Sequence, residues 1–437
     1  MNATSTATRG ATTIKVDYLT RVEGEGAITI KMKGDHVQDV KLRIFEPPRL
    51  FEAFLRGRSY EEVPDITARI CGICPIAYQM SSVHAIERAF GITVHPMVRL
   101  LRRLFYCGEW IESHALHIYM LHAPDFLGYP DAIRMAADHR GAVEQALRLK
   151  KTGNQVMIVL GGREIHPVTA TVGGFYRVPT KAELRLLVPE LEWALEASIR
   201  TARLAAGFPF PEFEQDYEFV ALSHPHEYAM NEGRLISNKG LDIDVAEYED
   251  HFLEQHVKHS TSLHSELRER GSYLVGPLAR FNVNYAQLPA TARQAAEECG
   301  LAVGCRNPFR GILARAVELV FSCEEALRLI REYEPPPEAR MAVAPKAGIG
   351  HAVTEAPRGS LYHRYTLDDK GLVLSAKLVP PTSQNLKRME DDLWRYVPQI
   401  AGEPVEEITR RCEMAVRNYD PCISCSVHAI KVRVERD

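Results

Sequence analysis

The sequence predicts a mainly α-helical chain with small β elements near both ends, an α+β fold around a central bundle of long helices. Two patterns carry this reading. Apolar residues recur at three- and four-residue spacing through most of the chain, and two stretches alternate apolar with polar residues around turn signals. A third observation is scale: 437 residues, 46% of them apolar and 25% charged, suffice for one large core.

Taken in order, residues 1–13 (MNATSTATRGATT) lack the apolar segment of a secretion signal and read as a disordered tail. A single domain is expected over 14–428. Residues 27–45, AITIKMKGDHVQDVKLRIF, alternate around Gly34-Asp35 and predict a β-hairpin. Helices are predicted in AYQMSSVHAIERAF, MVRLLRRLFYCGEWIESHALHIYMLHA, DAIRMAADHRGAVEQALRLKK, KAELRLLVPELEWALEASIRTARLAA and FRGILARAVELVFSCEEALRLIREY. EYEPPPEARM (332–341) interrupts them, because three consecutive prolines cannot continue a helix. A second hairpin follows in SLYHRYTLDDKGLVLSAKLV, with Asp369, Lys370 and Gly371 in its turn, and the helices LKRMEDDLWRYV and EEITRRCEMAVRNY come after it. Between the two hairpins the expectation is mostly helix.

A formal net charge of -4 gives no reason to expect nucleic-acid binding. No window approaches the roughly 18 apolar residues a membrane span needs, so a cytoplasmic location is expected. GIGHAV (348–353) lacks the third glycine and the strand–helix setting of a dinucleotide site.

The chemistry concentrates in two CxxC pairs, Cys71/Cys74 in RICGICP and Cys422/Cys425 in DPCISCSVH. Residues three apart share a helix or turn face, so each pair can offer two sulfurs to one metal, and thiolates suit zinc, iron–sulfur centres and other soft ions. Structural zinc sites usually join their pairs over a short loop. These pairs lie about 350 positions apart, so the two ends of the fold would have to converge on one site. Zinc and a thioredoxin-like dithiol remain alternatives at this point. The other five cysteines, Cys107, Cys299, Cys305, Cys323 and Cys412, show no cluster spacing and read as buried apolar side chains. With no iron–sulfur relay visible, electrons would have to leave through a partner chain.

The two cysteine motifs together resemble those of the large subunit of a nickel-iron hydrogenase. TRVEGEG (20–26), PPRLFE (47–52), YCGEWIESHALHIYMLHAPDFLG (106–128), GGREIHPVTATVGGF (161–175), EAPRGSLYH (355–363) and LVPPTSQN (378–385) extend the resemblance over most of the chain. SHALHIYMLHAPD and VPPTSQN are similar to the cytoplasmic bidirectional NAD(P)-linked and sulfhydrogenase-like group. The resemblance implies the family's fold and the reversible heterolytic cleavage of dihydrogen to protons and electrons. It implies that Cys71, Cys74, Cys422 and Cys425 bind nickel, with Cys74 and Cys425 bridging to an iron that carries carbon monoxide and two cyanides. Heterolysis needs a Lewis-acidic metal and a nearby base, and Cys422 is the thiolate expected to take the proton.

Further roles follow from the same resemblance. Glu23 would relay the proton, where its motif-free reading is a solvated turn acid. Arg358 would approach one cyanide, and Thr382, with Ser383 as the alternative one residue on, the other. Asp125 would support Arg358. Glu52, His428 and a backbone carbonyl near Leu378 would hold a magnesium or iron ion, with Glu46 competing for the Glu52 role. His84 reads equally as a packed core histidine, and His166 as part of the face toward a small subunit. Expected partners are a small iron–sulfur subunit, flavin and NAD(P) diaphorase subunits, metal-insertion chaperones and a maturation endopeptidase. That protease would cut after His428 and release residues 429–437 as a propeptide, although the alternation in IKVRV also permits a final strand. The runner-up is a non-catalytic hydrogenase-like scaffold subunit of a respiratory-type complex, which needs no metal ligands.

Overall fold

The computed structural model describes residues 11–427. His428 and the 429–437 segment therefore lie outside the described residues. The first sheet is a three-stranded antiparallel meander of β1 (Ala11–Val16), β2 (Gly26–Lys33) and β3 (His36–Ile44). β2 and β3 form the hairpin expected around Gly34, whose φ of 59° suits a tight turn. β1 begins three residues inside the stretch read as a tail, because Ile14 and Val16 have an apolar face to cover and pair with Ile30 and Ile28.

The body is a stack of long helices. α1 (Pro75–Phe90) and α2 (Pro96–Leu116) start on prolines at the first helical position, where no hydrogen bond is lost. α2 packs against both α3 (Arg140–Gly161) and α5 (Gly311–Glu332), and α5 also packs on α4 (Val188–Ala206). Trp110, Leu104, Phe105, Leu313, Val317 and Phe321 fill the space between them and are essentially inaccessible. The run expected to continue α2 to Ala123 loosens at His117–His122 into a π-helical turn before a short helix at Ala123–Leu127. Such turns insert a residue and re-aim side chains, often at functional sites.

The second sheet is wider than the predicted hairpin: β4 (Gly348–Ala356), β5 (Gly359–Leu367) and β6 (Val373–Val379) pair antiparallel in that order. α1 lies across β4 and β5. α6 (Pro381–Tyr396) and α7 (Val405–Arg417) follow, and α7 leads into the C-terminal cysteine pair. Within the mostly helical stretch between the hairpins, three small sheets that the sequence reading did not place occur over 170–267. Their strands are two to four residues long, too short for a period-two signal. Among the described residues no helix is long and apolar enough to cross a membrane.

Candidate metal centre

Both ends of the chain meet at the start of α1. Cys71 and Cys74 come from the turn before that helix, with Cys74 at its N-cap. Cys422 and Cys425 come from a short segment after α7 that bridges, as a parallel pair, to Glu23 in the loop between β1 and β2. All four thiols are buried and unbridged, and their sulfurs lie within 4.8 Å of one another. Cys71 Sγ is 3.6 Å from Cys422 Sγ, and Cys74 Sγ is 4.0 Å from Cys425 Sγ.

Four thiols packed this way do not titrate alike. The Cys422, Cys425 and Cys74 thiols around Cys71 lower its pKa well below the ordinary value, while Cys74, Cys422 and Cys425 are pushed well above theirs. The amides of Ile73 and Cys74 also point at Cys71 Sγ, each at 3.3 Å. Four thiolates would set four negative charges against the one nearby guanidinium of Arg358, and a soft metal ion supplies the balance.

Glu23 is anchored at its carbonyl by Ile423 N–H and at its carboxylate by Ser424 N–H, which places Oε2 3.0 Å from Cys422 Sγ. Gly24 makes room: its φ is 89°, and a Cβ there would sit 2.4 Å from Glu46 Oε1. Thr382 Oγ1 accepts the Cys422 amide at 2.9 Å, which leaves its own proton free to donate. Ser383, the alternative, is already committed to the Pro380 carbonyl.

Arg358 is 2% exposed, and its Nη1 has no hydrogen-bond partner among the described residues. Burial works against its charge, but Asp420 and the adjoining thiols raise its pKa well above the ordinary value. Its support corrects the sequence expectation. Arg358 Nε donates to the Asp420 carbonyl at 2.8 Å, and Nη2 reaches Asp420 Oδ1 at 3.2 Å. Asp125 instead accepts from Arg417 at 2.7 and 2.8 Å and from Arg21 at 2.5 Å, bridging the two chain ends from below the π-helical turn. His117 and His122 of that turn hold Arg417 and Asn418 of the same segment.

Glu52 accepts the Leu378 amide at 2.8 Å, so the acid meets the N–H of that residue. His428 lies outside the described residues. Glu46 accepts from Glu25 N–H and from Ser424 Oγ. His84 lines a separate cleft with Arg88, Arg99 and Arg102, and His166 Nδ1 pairs with the Ala68 carbonyl.

The sequence profile described as nickel-dependent hydrogenase matches residues 49–145 and 247–428. The chain belongs to the nickel-dependent hydrogenase family.

Curated relatives agree along the whole length. Sulfhydrogenase 1 subunit alpha of Pyrococcus furiosus is 35% identical over 423 residues, covering 96% of this chain and 98% of the relative. The beta subunit of an NAD-reducing hydrogenase from Cupriavidus necator is 28% identical, over 95% and 94% of the two chains. A crystal structure of an NAD+-reducing [NiFe]-hydrogenase in the H2-reduced state superposes with a TM-score of 0.87 at 27% identity, covering 97% of this chain and all of that one. This chain is thus the large subunit of a nickel-dependent hydrogenase, an oxidoreductase acting on dihydrogen.

The hydrogenase's own residues fit such a centre: four soft donors, a buried cation with a free donor, and a carboxylate at one sulfur. Sequence reasoning passed over Asp420, Arg417, Ser424, Glu109 and Arg49. Glu109 accepts the Ile76 and Ala77 amides at the start of α1, and burial raises its pKa well above the ordinary value. Arg49 holds the C-terminal segment through Ser424 O and, from its backbone, Val427 O. Asp420, Ser424, Glu109 and Arg49 stand inside the quoted motifs, but their contacts, like those of Arg417, are tertiary ones that spacing does not reveal.

Proposed function

We propose that the chain catalyses reversible heterolytic cleavage of dihydrogen at a nickel–iron centre held by Cys71, Cys74, Cys422 and Cys425, with carbon monoxide and two cyanides on the iron. The observation that carries this reading is the 3.0 Å contact between Cys422 Sγ and Glu23 Oε2 inside a buried four-thiol cluster. When bound, the metal pair supplies the Lewis acid and the electron sink. The protein supplies the base and the exit. Cys422 Sγ takes the proton and Glu23 Oε2 receives it. Arg358 Nη1, without a hydrogen-bond partner among the described residues, would donate to one cyanide, and the Thr382 hydroxyl to the other. Asp420 holds Arg358 in that pose, and Asp125 acts by fixing Arg417 and Arg21 on either side of the site.

Electrons would leave through a small iron–sulfur subunit to NAD(P) by way of flavin subunits in the cytoplasm. The NAD-reducing relatives support that route. Glu52, the Leu378 backbone and His428 would hold a magnesium or iron ion. After metal-insertion chaperones load the centre, an endopeptidase would cut after His428 and remove 429–437, and the mature domain would run over 14–428.

Infrared spectroscopy of the assembled enzyme from its native host tests the centre. Carbonyl and cyanide bands that shift under dihydrogen are expected. Material whose intact mass ends at His428 and which shows no such bands overturns the reading.

A further inference from the structure

A second set of donors converges away from the thiols. His259 Nε2 lies 2.7 Å from Glu390 Oε1, and His264 Nδ1 lies 3.8 Å from Glu390 Oε2. One donor atom from each of the three residues falls within 4.8 Å of the others. An independent observation concerns His264 alone: its residue is 2% exposed, yet neither ring nitrogen has a hydrogen-bond partner among the described residues. Buried polar atoms are rarely left so, and one that is demands an explanation.

We propose that His259, His264 and Glu390 form a site for a divalent transition-metal ion of the zinc type. Two imidazoles and a carboxylate suit such an ion, whereas magnesium and calcium prefer oxygen donors throughout. Bonds of about 2.0–2.2 Å place tetrahedral donors roughly 3.3 Å apart. His259 and Glu390 would part slightly and His264 would close in, movements within reach of side-chain rotation. The His259 side chain is 18% exposed against 3% for His264, so entry and a water ligand lie on the His259 side.

The position gives the ion a purpose. Glu390 Oε1 also accepts the Leu42 amide of β3. The loop between the two histidines grips the strand's end, through Thr261 to the carbonyls of Ile44 and Glu46. An ion would therefore lock α6, this loop and β3 together, and with them Glu46, whose carboxylate meets Ser424 beside Cys425.

The test uses the assembled enzyme, stripped with a chelator, incubated with zinc and washed. One zinc per large subunit is expected beyond the nickel and iron, with a nitrogen and oxygen shell by zinc-edge X-ray absorption. His264→Phe and His259→Gln should each lower bound zinc about tenfold at fixed free zinc while nickel content stays at the wild-type level. Equal zinc in wild type and variants, or none in wild type, overturns the proposal. Should a variant fail to assemble, the wild-type absorption shell decides alone: two imidazoles per zinc support the site, whereas one imidazole, as His428 with Glu52 would give, or sulfur overturns it.

Discussion

Cys422 and Glu23 place a thiol and a carboxylate in direct contact. Replacing Glu23 by Gln keeps the shape and the amide anchors but removes the proton acceptor. Glu23→Gln is expected to lower dihydrogen oxidation by about 10²–10⁴-fold while the infrared bands persist; activity within a factor of a few would remove Glu23 from the route. Asp125 calls for a different outcome. It neutralises Arg417, itself 1% exposed, and Arg21. Asp125→Ala strands a buried guanidinium and is expected to cost about 3–5 kcal/mol, read as a lowered thermal midpoint. The four cysteines were legible as a possible ligand set from their CxxC spacing, whereas Glu23 and Thr382 entered only through the family resemblance. The partner of Arg358 was not legible. It depends on Asp420 adopting a left-handed φ of 51° just before Pro421, which no spacing encodes.

Elements meet at the site through backbone contact as well as side chains. Gly350 of β4 lies under α1, where an added Cβ would stand 1.8 Å from Ala85 O and 2.8 Å from Ala89 N. The glycines of GIGHAV, no nucleotide loop, serve this approach of strand to helix. Gly350→Ala must push α1 off the sheet, and α1 carries Cys74 at its N-cap. A loss of about 1–3 kcal/mol or more is expected, together with lower nickel occupancy by elemental analysis. Gly141→Ala, near the start of α3 with nothing within 4 Å of the new Cβ, should be neutral or stabilising by up to about 1 kcal/mol; equal damage from both would refute the packing argument. Long helices were legible from their period. β4 was not, since its outer face is covered by α1 and most of it is buried on both sides, so its residues do not alternate.

Across the whole molecule the helices are tied by carboxylate–guanidinium pairs that the sequence shows only as residues inside apolar stripes. Glu318 of α5 accepts two bonds from Arg280, each 2.7 Å, and Arg280 also reaches Glu355 of β4 at 2.9 Å. Glu325, one turn on from Ser322, accepts Arg103 of α2 at 2.5 Å. Burial raises the pKa of both acids, but Arg280 overrides it at Glu318 and Arg328 with Arg103 at Glu325, so each is held at about 2. Their folded values lie below their unfolded values near 4.5. The stabilisation is therefore complete above pH 5 and is lost as pH falls toward 2, because the unfolded chain binds the extra protons. A depression of roughly two units corresponds to about 3 kcal/mol for each group. The thermal midpoint of the assembled enzyme should accordingly hold level from pH 7 to about 5 and then fall steeply by pH 3. A midpoint unchanged down to pH 3 would mean that the fold does not hold these carboxylates charged below their ordinary range.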